Sequence, residues 1–277
     1  MALETFPPLV LMAGRFTLSG SLMLVAARLM GARLPRGKEL WLTALNGVLV
    51  LGIGNSCLTF AETWIGSGMA ALFISTSAFW MVGIEAAFPG GERLHLPTIA
   101  GMLIGTAGAA LLVAPGAMAQ GFGSSVVKGF LALQFGCLGW GLGSILQRRQ
   151  PSQAHPVVSG AVQQLAAGLA FLVPALVANE SPVRWAAHGV LALLYLVVFG
   201  SIVGYSAYIY AMDRLPVAIV SIYTYINPVV AVFLGWLIYR EPFGRTEALA
   251  MLIIFVGVAT VKRFGQGAPE PRAQAGG

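Results

Sequence analysis

Long apolar stretches separated by short polar loops dominate this chain. Nine of them are close to the ~20 residues that a helix needs to cross the hydrocarbon core of a bilayer. Their approximate bounds are Pro8 to Leu29, Leu40 to Phe60, Gly68 to Phe88, Thr98 to Ala114, Val126 to Leu146, Pro156 to Val177, Gly189 to Ala211, Val217 to Tyr239 and Thr246 to Val261. We expect helices, because these runs are continuous, whereas a transmembrane barrel strand alternates apolar and polar residues over about ten positions.

Composition indicates the same class of protein. Hydrophobic residues make up 57% of the 277 residues and charged residues 9%. So few polar side chains cannot cover the surface of a soluble globule. The sequence therefore predicts an all-α, polytopic membrane protein with membrane lipid as its surroundings.

The second half of the chain repeats the first in register, about 150 positions later. The matched positions are Pro8, Arg15 and Gly20 with Pro156, Gln163 and Gly168, Gly54 with Gly204, Phe60-Ala61 with Tyr210-Ala211, Thr76 to Phe79 with Ile226 to Val229, Glu92 with Glu241, Met102 to Ile104 with Met251 to Ile253, and Gly108 with Gly257. Chance similarity between apolar segments is the alternative. Because the order persists across four segments and their loops, we interpret it as a duplication, which is typical of secondary transporters.

An odd number of helices places the two termini on opposite sides, and the basic residues indicate which side is which. One face collects Arg28, Arg33, Arg36, Lys38, Arg93, Arg148, Arg149, Arg214, Lys262, Arg263 and Arg272, and the other Lys128, Arg184, Arg240 and Arg245. Cytoplasmic loops are enriched in Lys and Arg. We therefore expect the C-terminus in the cytoplasm and Met1 outside.

Several short stretches carry a resemblance to a known family. Residues 61–72 read AETWIGSGMAAL, followed by Phe79-Trp80 and Pro89 to Arg93, and the second half offers Tyr225 to Pro228 and Tyr239 to Pro242. They resemble the EamA family of the drug/metabolite transporter superfamily, in particular its YedA- and PecM-like branch of bacterial inner-membrane proteins. This resemblance covers nearly the whole chain.

The resemblance implies a ten-helix fold of two inverted five-helix repeats with both termini cytoplasmic. This chain would correspond to helices two to ten, so the family's first helix is expected to be missing. The first repeat would occupy residues 1–118 with four helices, and the second repeat residues 119–264 with five. Residues 265–277, rich in Gly, Pro and Ala, would form a disordered cytoplasmic tail.

One departure from the family pattern concerns a predicted hinge. Ala78 stands where the family usually has proline and where the second half has Pro228. Proline lacks an N–H and kinks a helix, so Pro228 is the predicted hinge of the second half. In the first half the hydroxyls of Ser75, Thr76 and Ser77 can still bend the helix. We expect the two hinges to differ.

Polar side chains inside the apolar stretches are the candidates for substrate binding, because a polar group in the bilayer costs several kcal/mol without a partner or a wet cavity. The predicted set of hydroxyl, amide and aromatic side chains is Ser75, Thr76, Ser77 and Trp80 in the third stretch, Tyr223, Tyr225 and Asn227 in the eighth, and Trp140, Gln163 and Tyr205. The alternative is that Ser and Thr serve helix packing and the tyrosines an interfacial belt.

Three ionisable residues lie within or near the stretches. Arg15, about two turns into the first, could attract a carboxylate-bearing substrate, snorkel outward or pair with a buried carbonyl. Glu62 and Glu85 could carry a coupling proton, because burial raises the pKa of a carboxylate, but both lie near interfaces where solvation opposes this.

Enzyme chemistry, cofactors and metal ions are not expected. His95, His155 and His188 lie in predicted loops, and no metal-ligand spacing or phosphate-binding loop is present. Loop orientation accounts for the net charge of +6, so no nucleic-acid partner is expected. The Gly101/Gly105 and Gly139/Gly143 spacings permit close helix approach, either within the chain or in a homodimer.

The sequence thus predicts an inner-membrane secondary transporter that exports a small organic metabolite by alternating access between two repeats. Amino acids or aromatic compounds are the substrates that the family resemblance suggests. The alternative is a non-transporting membrane component or truncated relic, which the missing first helix and Ala78 would favour.

Overall fold

Helices occupy the positions of all nine apolar stretches in the computed structural model, which describes residues 5–119, 123–178, 180, 183, 185–239 and 244–264. They are α1 (Pro8–Leu29), α2 (Lys38–Ala61), α3a (Ser67–Ser75), α3b (Ser77–Ala87), α4 (Leu96–Ala119), α5 (Ser124–Arg149), α6 (Pro156–Val177), α7 (Ala187–Arg214), α8a (Val217–Val220), α8b (Tyr223–Tyr239) and α9 (Arg245–Phe264). Arg184, Arg240, Glu241, Pro242 and the tail 265–277, on which sequence predictions rest, lie outside the described residues.

Six of the described segments are long and apolar enough to cross a membrane: α1, α2, Met69–Ala87, α5, α6 and α7. Their outer faces are apolar, as Leu22 and Val25 of α1 and Phe199 of α7 illustrate with exposures of 49%, 58% and 58%. Such faces suit lipid, which offers no hydrogen bonds to exposed polar groups. The prediction of an all-α, polytopic membrane fold is confirmed.

Helices α1 and α6, which occupy matching places in the two halves, pack closely and run antiparallel. A Cβ at Gly20 would lie 2.4 Å from the backbone N of Leu165, and a Cβ at Gly168 would lie 2.4 Å from that of Thr17. Glu180, just beyond the end of α6, contacts the start of α1. The two matched glycines thus play equivalent parts in this antiparallel crossing. Such equivalence is expected when two repeats are inverted with respect to each other.

A second antiparallel crossing joins α4 and α9. A Cβ at Gly108 would lie 2.8 Å from the N of Ile254, and a Cβ at Gly257 would lie 2.5 Å from the N of Gly105. Gly108 and Gly257 are again matched positions. The close approach that the Gly101/Gly105 spacing permits is therefore used within the chain.

Both α2 and α7 contain a wide-turn π-helical segment, at Val48–Gly54 and Leu196–Tyr205. The segments occupy matching places, since Gly54 corresponds to Gly204 in the repeat. A π-helical segment widens the helix and redirects the side chains that follow, and such segments are frequent at functional sites. The shared geometry of the two halves supports the interpretation as a duplication.

The third and eighth stretches are each interrupted. The first break is at Thr76, where the Ser75 and Thr76 hydroxyls donate to the carbonyls of Leu72 (2.7 Å) and Phe73 (2.6 Å). The second is at 221–222, whereas Pro228 lies inside α8b. The role of Pro228 as a hinge stays a prediction.

Contacts group the chain into two units, each with helices from both halves. Unit 1 comprises Met1–Ala70 and Phe122–Arg214, and unit 2 comprises Ala71–Gly121 and Leu215–Gly277. The core of unit 1 includes Met12, Phe16 and Ile209, and that of unit 2 includes Met102 and Ile254. The predicted repeat boundary at 118/119 is a division of the sequence and stays a prediction.

Candidate substrate site

Three aromatic side chains cluster inside unit 1. The Trp140 ring of α5 lies 5.2 Å from that of Tyr208 and 6.4 Å from that of Tyr205, measured between centroids. The two tyrosine rings of α7 stack at 6.0 Å. Tyr205 stands at the end of the π-helical segment, which directs it toward the core. The cluster offers ring faces and edges for an apolar or aromatic group.

Buried and half-buried polar groups line the same cluster. The Tyr205 hydroxyl donates to Oε1 of Gln163 at 2.6 Å, and Nε2 of Gln163 donates to Oε1 of Gln147. The Trp140 indole N–H donates to the Tyr208 hydroxyl at 2.8 Å, and this hydroxyl lies 2.7 Å from Oγ of Ser144. The structure therefore brings together Trp140, Gln163 and Tyr205, three of the residues in the predicted set.

A second polar network lies beside the first, because Gln163 and Gln164 are consecutive on α6. Gln164 accepts from the Ser19 hydroxyl at 2.5 Å and donates to the carbonyl of Ser201 at 3.2 Å. Nε of Arg15 donates to the Ser201 hydroxyl at 2.8 Å. Three helices of unit 1 thus hold an amide, two hydroxyls and one guanidinium in adjoining positions.

The sequence analysis missed several members of these networks: Ser19, Ser144, Gln147, Gln164, Ser201 and Tyr208. Five of them are polar side chains within the predicted apolar stretches, and Gln147 is the first residue after the fifth stretch. The cost of a polar group in the bilayer singles out none of them. Partners lie far apart in sequence, for example Ser19 and Gln164, so no local spacing predicts the pairs.

The remaining predicted residues lie in the third and eighth apolar stretches. Tyr225 is buried against Gly105, and its hydroxyl lies 3.5 Å from Oγ1 of Thr106. Ser77 is buried, and its hydroxyl finds no partner among the described residues. Asn227, by contrast, is exposed. The roles of all the residues that we predicted in these two stretches, Ser75, Thr76, Ser77, Trp80, Tyr223, Tyr225 and Asn227, stay predictions.

The two candidate coupling carboxylates occupy different surroundings. Glu62 follows the last residue of α2 and is exposed, although partial desolvation raises the pKa of its carboxyl. Glu85 lies in α3b with 4% of its surface exposed. Proton coupling through either residue stays a prediction.

A carboxylate ties loops together at each end of unit 1. Oε1 of Glu39, at the start of α2, accepts from the Ser152 hydroxyl (2.7 Å) and from the amides of Gln153 (2.9 Å) and Ala154 (3.2 Å). At the opposite end, Glu180 accepts from the amide of Leu9 at 3.2 Å and so satisfies the start of α1. These contacts attach residues 152–154 to the start of α2 and Glu180 to the start of α1.

A cavity opens at the Glu39 end of unit 1. Its lining includes Gln147, Ser152, Ser159, Met212 and Asp213. Gln147 both lines this cavity and accepts the hydrogen bond from Gln163. One polar side chain thus connects the opening to the aromatic cluster.

Metal binding finds no support in the described residues, among which no group of three His, Cys, Asp or Glu side chains could hold an ion. Cys57 and Cys137 are free thiols there. The expectations of no metal, no cofactor and no catalysis stay predictions.

A family model decides the classification of the chain. The model described as the EamA-like transporter family matches residues 1–114 and 127–263. The chain belongs to this family. The uncharacterized inner membrane transporter YedA of Escherichia coli (strain K12) is 32% identical over 263 residues, which cover 94% of this chain and 83% of YedA. The predicted resemblance to EamA proteins is confirmed.

Two other relatives have more specific names. A probable terminal-alkyne amino-acid exporter of Streptantibioticus cattleyicolor is 28% identical over 254 residues, 90% of this chain and 82% of the relative. The aromatic amino acid exporter YddG of Ancylobacter novellus is 28% identical over 154 residues, 56% of this EamA-like chain and 53% of YddG. A solved crystal structure with a TM-score of 0.79 and 23% identity, covering 95% of this chain and 90% of its own, has the same fold.

Proposed function

We propose that this EamA-like protein is a secondary transporter of the bacterial inner membrane that exports amino acids or aromatic compounds. Its two inverted repeats would expose the substrate site to one side of the membrane at a time. The charge asymmetry of the loops supports a cytoplasmic C-terminus.

The observation that carries this proposal is the buried site of unit 1. Trp140, Tyr205 and Tyr208 provide ring surface, while Gln163 provides an amide within hydrogen-bonding distance of Tyr205. A few well-placed polar groups in an apolar, aromatic surround are typical of small-molecule sites. Two relatives, an aromatic amino acid exporter and a probable terminal-alkyne amino-acid exporter, support the same substrate class.

The alternative of a non-transporting component or relic gains no support from these observations. In a chain no longer selected for transport, we would not expect the fully buried Gln163 to keep its hydrogen bond with Tyr205 of another helix. Burying such groups is unfavourable unless they are paired.

Efflux from proteoliposomes tests the proposal. Vesicles would be loaded with a panel of labelled amino acids and aromatic acids, and efflux compared for wild type, Tyr205→Phe and Tyr195→Phe. Tyr195→Phe is the matched control, because Tyr195 lies on the same helix with 59% of its surface exposed. Loss of the Tyr205 hydroxyl leaves Oε1 of Gln163 without its donor and should lower transport roughly tenfold.

Efflux by wild type above that of empty vesicles, reduced in Tyr205→Phe alone, supports the proposal. No efflux of any panel member by the folded wild type would contradict it. Equal efflux rates for wild type, Tyr205→Phe and Tyr195→Phe would show that the Tyr205 hydroxyl is not part of the substrate site.

A further inference from the structure

Arg15 carries a positive charge deep inside the apolar part of unit 1. It is seven residues past Pro8, the first residue of α1, and so lies roughly 10 Å along a helix that is roughly 33 Å long. Its partner Ser201 lies at the centre of the 28-residue span Ala187–Arg214. The bond between them therefore places the guanidinium well inside the length of both apolar helices.

This guanidinium is only partly satisfied, by the neighbouring Phe16 ring, whose centroid lies 5.0 Å from Cζ, and by one hydrogen bond. Nε donates to the Ser201 hydroxyl at 2.8 Å, but Nη1 and Nη2 have no hydrogen-bond partner among the described residues. No carboxylate of the described chain lies within 4.0 Å of the guanidinium either. An uncompensated charge at such a place is costly to retain, which makes it a functional candidate.

Arg15 packs against a glycine of α7, one helical turn from the aromatic cluster. A Cβ at Gly200 would lie 2.9 Å from Nη2, so the absence of a side chain there gives the guanidinium its space. Tyr205 follows Ser201 by four residues on α7, which places its ring about one turn away. A cation and an aromatic surface thus stand on neighbouring turns of one helix.

We infer that the Arg15 guanidinium binds the carboxylate of the transported molecule through Nη1 and Nη2. The paired N–H groups of arginine match the two oxygens of a carboxylate. This inference rests on the proposed transport function and narrows its substrate class: the molecule carries a carboxylate close to an apolar or aromatic group. Neutral and amide analogues should be poor substrates.

The test compares carboxylates with amides that lack the charge. Amino acids, including phenylalanine and tryptophan, and their carboxamides would be assayed in two ways with purified wild type, Arg15→Gln, Arg15→Lys and Arg28→Gln. The first readout is binding in detergent, measured by thermal stabilisation, and the second is efflux from proteoliposomes. Arg28→Gln is the matched control, because Arg28 is an exposed residue on the same helix.

Wild type and Arg28→Gln should bind the carboxylates better than the amides, roughly tenfold to a hundredfold, the worth of a hydrogen bond to a charged group. Arg15→Gln should abolish this preference without loss of folding. Arg15→Lys should restore part of it. Gly200→Ala, which displaces Nη2 but keeps the charge, should reduce the preference.

Efflux of carboxylates and amides at equal rates by wild type would overturn the inference and leave the export function standing. A carboxylate preference in binding that Arg15→Gln removes, without any efflux, would support carboxylate binding at Arg15 and would contradict the export function. No carboxylate-dependent binding by wild type, or an unchanged preference in Arg15→Gln, would overturn the inference.

Discussion

The close crossing of α1 and α6 makes a quantitative prediction about Gly20. A Cβ there would stand 2.4 Å from the N and 2.8 Å from the Cα of Leu165, both backbone atoms that no rotamer change can move. Ordinary contacts begin near 3.5 Å, so the helices would have to separate by roughly 1 Å. Overpacking of this kind costs about 1–3 kcal/mol.

Gly14 provides the matched control on the same helix, because a Cβ there would meet no atom within 4 Å. Alanine is favoured over glycine inside a helix by about 1 kcal/mol, and this gain applies to both sites. The difference in unfolding free energy between Gly20→Ala and Gly14→Ala therefore isolates the steric term. Gly14→Ala should be more stable by about 1–3 kcal/mol.

The assay is reversible unfolding in mixed micelles, followed by tryptophan fluorescence, with both variants prepared in parallel. Gly168→Ala should behave like Gly20→Ala, because its Cβ would stand 2.4 Å from the backbone N of Thr17. Equal stabilities of the Gly20 and Gly14 variants would refute the crossing and with it the packing of the two matched helices.

Three further predictions concern single side chains. Glu39→Gln replaces the charged carboxylate that accepts hydrogen bonds from the amides of Gln153 and Ala154, so deuterium exchange at both amides should become faster at pH 7. Unchanged exchange rates would contradict the attachment of residues 153 and 154 to Glu39. Ser77→Ala removes a buried hydroxyl that has no partner in the described chain, so the free energy of unfolding should stay the same or rise by up to about 2 kcal/mol. A lower melting temperature in thermal unfolding would contradict this prediction. Tyr208→Phe removes the hydroxyl that accepts from the indole N–H of Trp140, so it should lower the free energy of unfolding by about 1–3 kcal/mol in the same assay. An unchanged free energy of unfolding would contradict this prediction.

The fold was largely predictable from the sequence, because membrane spans depend on local composition. Apolar length predicted helices such as α1 and α6. The repeat matched Gly20 with Gly168, but the contact of the two helices at these glycines was not predicted. The π-helical segments at Val48–Gly54 and Leu196–Tyr205 were not predicted, since their apolar residues suit an ordinary helix equally well.

The candidate site was predictable in part. Trp140, Gln163 and Tyr205 were proposed from their chemistry, and the structure places them together. Their direct partners could not be predicted, because a contact such as Trp140 with Tyr208 spans 68 positions and depends on helix packing. The exposure of Asn227 depends in the same way on the face that its helix presents.

Solute counterflow tests the central claim most directly. Proteoliposomes containing wild type would be loaded with unlabelled amino acid at high concentration, diluted into a trace of the labelled compound, and followed over time. A carrier with a single buried site should accumulate label transiently above equilibrium, saturably, and should do so poorly after Tyr205→Phe. Label that only equilibrates, or does not enter at all, for every amino acid tested would contradict the account.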